Sequence, residues 1–244
     1  MVEVYPSQVR ESQVHTRNLS VSHGSESVIV NVDLDVRQGE FVSIVGLSGS
    51  GKTTLLNALA GFLPSSGEIQ VPGRIGVVFQ DYSVFPWLTV YENIAFGLKD
   101  FRRPDEDEIV RRHLKLIQME SQADKFPAEL SGGQVQRVSI ARALAPNPDV
   151  IFMDEPYGAL DRYTRERMQE WLLEIWTEDQ KTVLFVTHDI EEAVFLSDRV
   201  LLLSDGRIDQ EFQVDVARPR TEDLKFSSRF IELKKRVLEQ LRKI

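Results

Sequence analysis

Three short stretches carry residues able to work on a phosphate. The first is Gly46-Leu47-Ser48-Gly49-Ser50-Gly51-Lys52-Thr53-Thr54, where the glycines let successive backbone N–H groups curl inward around an anion. Lys52 supplies a point charge for β- and γ-phosphates, and the Thr53 hydroxyl suits a Mg²⁺ ligand. The second is Asp154-Glu155, two adjacent carboxylates at the end of the apolar run Val150-Ile151-Phe152-Met153. Carboxylates so placed are costly unless something cationic sits beside them. The third is Thr187-His188-Asp189, which follows the apolar run 182–186. A lone histidine is more often a structural hydrogen-bonder. This one stands after a strand with a helix following, which places it at the same sheet edge as Lys52 and Asp154.

The elements that must position these groups are legible in the hydrophobic pattern. The run 41–45 reads as a strand leading into the glycine loop, and 55–60 as the helix leading out, stopped by Gly61. Strand, glycine loop and helix is the context a phosphate-binding loop requires, with the positive end of the helix dipole facing the anion. Residues 150–153 and 182–186 are continuous apolar runs, the mark of strands buried on both faces of a parallel sheet. In such a sheet ligands bind at the carboxyl ends of the strands. From Leu19 to Val36 apolar residues alternate instead, predicting antiparallel strands with one buried face and a turn at His23-Gly24-Ser25. Residues 1–14 read as a loose lead-in. Short strands are expected at 68–71 and 75–79, the second closed by Gln80, and again near 200–203 and 206–213.

Between Gln80 and Val150 the pattern turns helical. An aromatic stretch with Phe85, Pro86, Trp87, Leu88 and Val90 is either a buried loop or an apolar patch kept for a partner. Residues 104–119 read as an amphipathic helix with Ile109, Leu114 and Ile117 inward and His113 solvated. Leu130-Ser131-Gly132-Gly133-Gln134 opens another helix, 135–145, through an S-x-x-Q capping box. The box leaves two consecutive glycines unexplained, since they weaken a first turn; a backbone that something must approach closely explains them. Met168, Trp171, Leu172 and Ile175 form a core stripe of a later helix, and Phe226, Phe230, Leu233 and Val237 the apolar face of a final one.

Bulk properties narrow the field. A net charge of −9 argues against a nucleic-acid-binding surface. With no cysteine, disulfides and thiolate metal sites are excluded and a reducing compartment is expected. No apolar run reaches the ~18–20 residues that span a bilayer, so service to a membrane would be from outside the lipid.

Taken in order, the loop at 46–54, Gln80, LSGGQ at 130–134, the strand with its two carboxylates at 150–155, Gly158-Ala159-Leu160-Asp161 and His188 resemble the ATP-binding subunit of ABC transporters. The likeness runs from about Leu19 to the C-terminus. The stretches 79–98 and 154–176, and Arg218-Pro219-Arg220 before a short terminal helix, look like the nitrate/sulfonate/taurine importer group. The resemblance implies an α/β fold: one P-loop ABC ATPase domain over 1–244, with an antiparallel β subdomain, a helical subdomain inserted at about 82–130 and a helical extension from about 218 to 244. It implies that Gly46, Ser48, Gly49, Ser50, Gly51, Lys52, Thr53 and Thr54 hold ATP, and that Thr53, Gln80 and Asp154 position Mg²⁺. Gln80, Glu155 and His188 would be catalytic, with Glu155 activating water and His188 contacting the γ-phosphate. Ser131, Gly132, Gly133, Gln134 and Asp161 would serve a nucleotide bound by the opposite subunit, the dipole of the helix adding roughly 0.3–1 kcal/mol. His23 stands about 25 residues before the loop, where the family usually has an aromatic residue stacked on adenine; histidine stacks less strongly. The implied partners are a second copy or a paralogue, membrane permease subunits met near Gln80 to Leu88, and a solute-binding protein, at the cytoplasmic face of the inner membrane. Rivals are a soluble ABC ATPase of repair or translation, a small-molecule P-loop kinase, and an ABC exporter or other importer subunit. The first would show a long coiled coil or two domains with basic surfaces, and the second would not need LSGGQ.

Overall fold

The computed structural model describes residues 12–81, 83–99 and 104–243. Two long strands open it, β1 (Ser12–His23) and β2 (Glu26–Arg37), antiparallel and irregular in register; β4 (Ser66–Gln70) joins β1 to complete a three-stranded sheet. Ser12, Gln13 and Val14 are thus strand rather than lead-in, and Val14 is fully buried; residues 1–11 lie outside the described residues. The second sheet runs β5-β6-β7-β3-β8-β9, with β3 (Phe41–Val45), β5 (Ile75–Val78), β6 (Val150–Asp154), β7 (Thr182–Val186) and β8 (Arg199–Ser204) parallel and β9 (Arg207–Gln213) antiparallel at the edge.

The continuous apolar runs are explained by burial on both faces. Ile151, Met153, Val183, Phe185, Phe41 and Val45 enter one core with the helices, whereas Val150, Phe152, Leu184, Val186, Val42 and Ile44 enter a second core beneath β1 and β2. Alternate residues of one strand therefore belong to different cores, and neither face reaches solvent.

Helix α1 (Lys52–Leu59) follows the glycine loop and packs on the second core. Between β5 and β6 the described elements are helical: α2 (Val90–Phe96), α3 (Glu106–Leu116), short 3₁₀ turns and α4 (Gly132–Leu144). Helix α4 begins at Gly132, three residues before the expected start, because Ser131 and Gln134 close the capping box in both directions. The amphipathic helix is shorter than its pattern, 106–116, and His113 is half-buried with Nδ1 2.8 Å from the Ile109 carbonyl oxygen, so it is not simply solvated. Then come α5 (Arg162–Asp179), α6 (Ile190–Leu196) and α7 (Ser228–Leu241). Phe230, Leu233 and Val237 anchor α7 as expected; Phe226 does not, since it sits in a short 3₁₀ turn before the helix and is 79% exposed.

Candidate active site

Strands β3, β6 and β7 are adjacent and parallel, so their carboxyl ends bring the three chemistry-bearing stretches to one sheet edge. Gly51 enters α1 at φ +99°, a left-handed conformation that glycine adopts freely. A Cβ there would stand 2.8 Å from Ile29 Cδ1 and 3.1 Å from the Val28 carbonyl oxygen, so the β1–β2 hairpin packs directly on the loop. His23 ends β1 in that hairpin and is exposed. Ser48, Gly49 and Ser50 line a cavity of about 150 Å³ with Leu203, Ser204, Asp205 and Leu241.

Lys52 is buried, and its Nζ donates to the carbonyls of Gly46 and Leu47, each at 2.9 Å. Burial pulls its pKa down, and the negative charges of Glu155 and Asp154 oppose that pull. The ammonium is therefore held at the loop by its own backbone and balanced by the two carboxylates. Thr53 and Thr54 follow on the first turn of α1.

Asp154 ends β6 almost fully buried. Desolvation raises its pKa, the Thr53 hydroxyl and Lys52 lower it, and Glu155 raises it further. Its Oδ1 is buried without a hydrogen-bond partner. A buried, unpartnered carboxylate oxygen beside a threonine hydroxyl is the donor chemistry of a hard divalent cation, and Mg²⁺ fits it. Among the described residues no group of three or more His, Asp or Glu side chains is arranged to hold a metal ion by itself, so an ion here needs oxygen ligands from elsewhere. Gln80 lies two residues past β5, exposed; β5 pairs with β6, which sets Gln80 and Asp154 at the same edge.

Glu155 has a backbone φ of +41° and donates its N–H to the Val186 carbonyl at 2.9 Å. A non-glycine residue in the left-handed region costs of order 1–3 kcal/mol and needs surrounding structure to hold it. His188 faces it: Nδ1 lies 3.0 Å from Glu155 Oε2. The structure thus brings together Lys52, Thr53, Asp154, Glu155 and His188.

It does not bring Ser131 to them. Ser131, Gly133 and Gln134 line a different cavity, of about 270 Å³, with Arg137, Tyr163, Thr164, Arg167 and Met168. A Cβ on Gly133 would stand 2.6 Å from Thr164 Cγ2, which accounts for one glycine of the pair by close packing on α5. Asp161 caps α5 by accepting from the Thr164 N–H at 3.0 Å; hydrogen bonds from the Thr164 hydroxyl first and its N–H second lower the Asp161 pKa. Among the described residues no hydrogen bond or ion pair joins 131–134 to 46–54.

Two side chains escaped the motif reading. Arg165, four residues past Asp161, donates to the Leu160 carbonyl at 3.2 Å and lies 3.4 Å from the buried Glu192. A helical turn of separation from Asp161 was the available signal.

The family model described as ABC transporter matches residues 29–158, just over half of the chain. The chain belongs to the ABC transporter family. This ABC ATPase is 44% identical over 212 residues to an aliphatic sulfonates import ATP-binding protein of Granulibacter bethesdensis, covering 86% of this chain and 88% of that protein. It is 45% identical over 221 residues to a bicarbonate transport ATP-binding protein of Synechococcus elongatus, covering 84% of this chain but 33% of that longer protein. Among solved structures, a dimeric ATP-binding cassette in a post-hydrolysis state, bound to ADP and Pi, superimposes with a TM-score of 0.74 at 35% identity, covering 84% of this chain and all of that one. The P-loop fold and ATP-hydrolysing activity read from the motifs stand with these relatives.

Proposed function

We propose that this ABC ATPase drives import of a small anionic solute, and that its catalytic pocket is completed by a second cassette, either another copy or a paralogue. The observation that carries this is the separation of Ser131, on its capped helix, from the cluster of Lys52, Asp154, Glu155 and His188. That one of the structural relatives is a dimeric cassette bound to ADP and Pi supports a pairing of two chains, in which 131–134 of one would meet the phosphate loop of the other.

ATP binds with its phosphates against the N–H groups of 46–51, the Lys52 ammonium and the N-terminus of α1. His23 would offer its ring to the base. When bound, Mg²⁺ supplies charge neutralisation at the phosphates, held by Thr53, Asp154 and Gln80. The Glu155 carboxylate orients a water and takes its proton as the new O–P bond forms and the bond to ADP breaks; His188, hydrogen-bonded to Glu155, contacts the γ-phosphate. Little covalent work is asked of the protein; positioning and charge do most of it. If the site is shared, turnover per molecule rises with protein concentration until the pair is saturated. An ATPase rate per molecule that stays flat across dilution of a strictly monomeric sample would end this reading.

The surface near Gln80 to Leu88, at the start of the helical segment of about 82–130, is proposed to meet a permease at the cytoplasmic face of the inner membrane, within a system that includes a solute-binding protein. Its support is an exposed aromatic group. Trp87 is 69% exposed, beside Phe85, whose ring lies 4.4 Å from that of Phe96. The group is held rigidly from below: the buried Asn93 amide donates to the carbonyls of Phe85, Leu88 and Thr89 and accepts the Phe85 N–H. Val90, by contrast, is core. No helix of the described residues is long and apolar enough to cross a membrane; in this reading the solute passes through the permease subunits. The names of the relatives, sulfonate and bicarbonate systems, support an anion. Trp87→Ala is expected to cut recovery of permease subunits in co-purification at least tenfold while ATP binding persists, since a buried aromatic anchor is commonly worth about 2 kcal/mol or more. Undiminished recovery would move the contact elsewhere.

A further inference from the structure

One guanidinium joins the loop after β6 to the loop after β7. Arg165 stands on the first turn of α5, and its Nη2 donates to the carbonyl of Leu160 at 3.2 Å. Its Nη1 lies 3.9 Å from Asp189 Oδ2, and its Nε, buried and without a hydrogen bond, 3.4 Å from Glu192 Oε1. Glu192 in turn accepts from the Thr187 hydroxyl at 2.7 Å, and that hydroxyl oxygen accepts from the Asp189 N–H at 3.0 Å. His188 sits between these two residues with Nδ1 3.0 Å from Glu155. The turn that presents the histidine is therefore shaped from behind by Thr187 and Glu192, and Arg165 fastens that support to the loop 157–161. Burial raises the Glu192 pKa and the nearby Asp189 charge adds to that, while the Thr187 hydroxyl, Arg165 and Gln169 counter it.

We propose that Arg165 is a positioning residue for ATP hydrolysis: it makes the loop 157–161 and the turn bearing His188 move as one unit, so that engagement of 157–161 by the second cassette sets His188 in place. The proposal rests on the reading of the site given above, in which His188 contacts the γ-phosphate and the pocket is shared. Arg165 touches neither substrate nor reacting atoms in this scheme and acts through the histidine.

Arg165→Lys keeps a cation for Glu192, but a single ammonium cannot hold the Leu160 carbonyl and face both carboxylates from three separate nitrogens as the planar guanidinium does. The test compares kcat, KM and nucleotide binding, the last with a fluorescent ATP analogue, for wild type, Arg165→Lys, His188→Ala and the double variant. Misplacement of a catalytic group by about 1 Å can cost roughly a hundredfold, so Arg165→Lys is expected to lower kcat about tenfold or more with analogue binding changed less than about twofold. Because the two residues act as one unit, the double variant is expected to be no slower than His188→Ala alone. Losses that multiply, with His188→Ala itself slow, overturn the link while leaving the histidine in the reaction. A wild-type rate for His188→Ala removes the histidine and the proposal together. Should Arg165→Lys not fold, Arg165→Gln combined with Glu192→Gln, which removes both buried charges, replaces it in the same comparison.

Discussion

Glu155→Gln is expected to bind ATP, to turn it over at least about a hundredfold more slowly, and to accumulate as an ATP-loaded dimer. The size follows from removing a positioned base, which contributes typically 10²–10⁴-fold. Glutamine keeps the volume and can hold a water, but its amide oxygen cannot take the proton as the O–P bond forms. Binding is expected to survive because the phosphate ligands proposed above are other residues: the backbone of 46–51 and the Lys52 ammonium, which lies 2.9 Å from two loop carbonyls. Removing one negative charge near the triphosphate favours binding if it has any effect. The backbone at 155 stays in the left-handed region for either side chain, so stability should change little. Rapid-quench ATPase assays and size-exclusion chromatography with ATP measure the two halves of the expectation. Hydrolysis at the wild-type rate would take Glu155 out of the base's role.

Why this much of the site could be read from sequence, and where the reading ran short, has a physical explanation. Period and punctuation are local properties. The strand 41–45, the strand 182–186 and the capping box at Ser131 and Gln134 were legible because each depends on residues close in the chain. Two-sided burial of β6 and β7 was legible too, since a polar residue in either run would have met one core or the other. What escaped depends on pairing across the chain. Ser12 to Val14 become strand only because Arg37 and Val36 lie beside them. Two departures are local instead: the His113 ring reaches the Ile109 carbonyl one turn back, and Phe226 is left out of the core because the chain turns before α7 begins. The tie from Arg165 on α5 to Glu192 on the first turn of α6 crosses 27 positions of sequence, and no motif announces it.

The same contrast between local and distant determinants bears on Ser131→Arg, for which hydrolysis is expected to fall at least about a hundredfold while ATP affinity of the monomer changes less than about twofold. Locally, Ser131 caps α4: its hydroxyl accepts the Gln134 N–H and its own N–H donates to Gln134 Oε1. Loss of such a cap costs about 1 kcal/mol, and a cation at a helix N-terminus adds roughly 0.3–1 kcal/mol. These are stability effects of a few degrees in Tm, and Ser131→Ala reproduces the first of them without bulk. If α4 only supported its own fold, Arg and Ala would behave alike in the ATPase assay. The expectation of a far larger loss for Arg comes from the exposed position of Ser131 and from its remoteness from its own chain's Lys52. An arginine there would obstruct only what arrives from outside, which in the proposed two-chain pocket is a nucleotide carried by the facing cassette. Equilibrium binding of ATP to dilute, monomeric protein separates the cases: an affinity lost in the monomer would mean that Ser131 serves its own nucleotide, and the two-chain pocket would have to be abandoned.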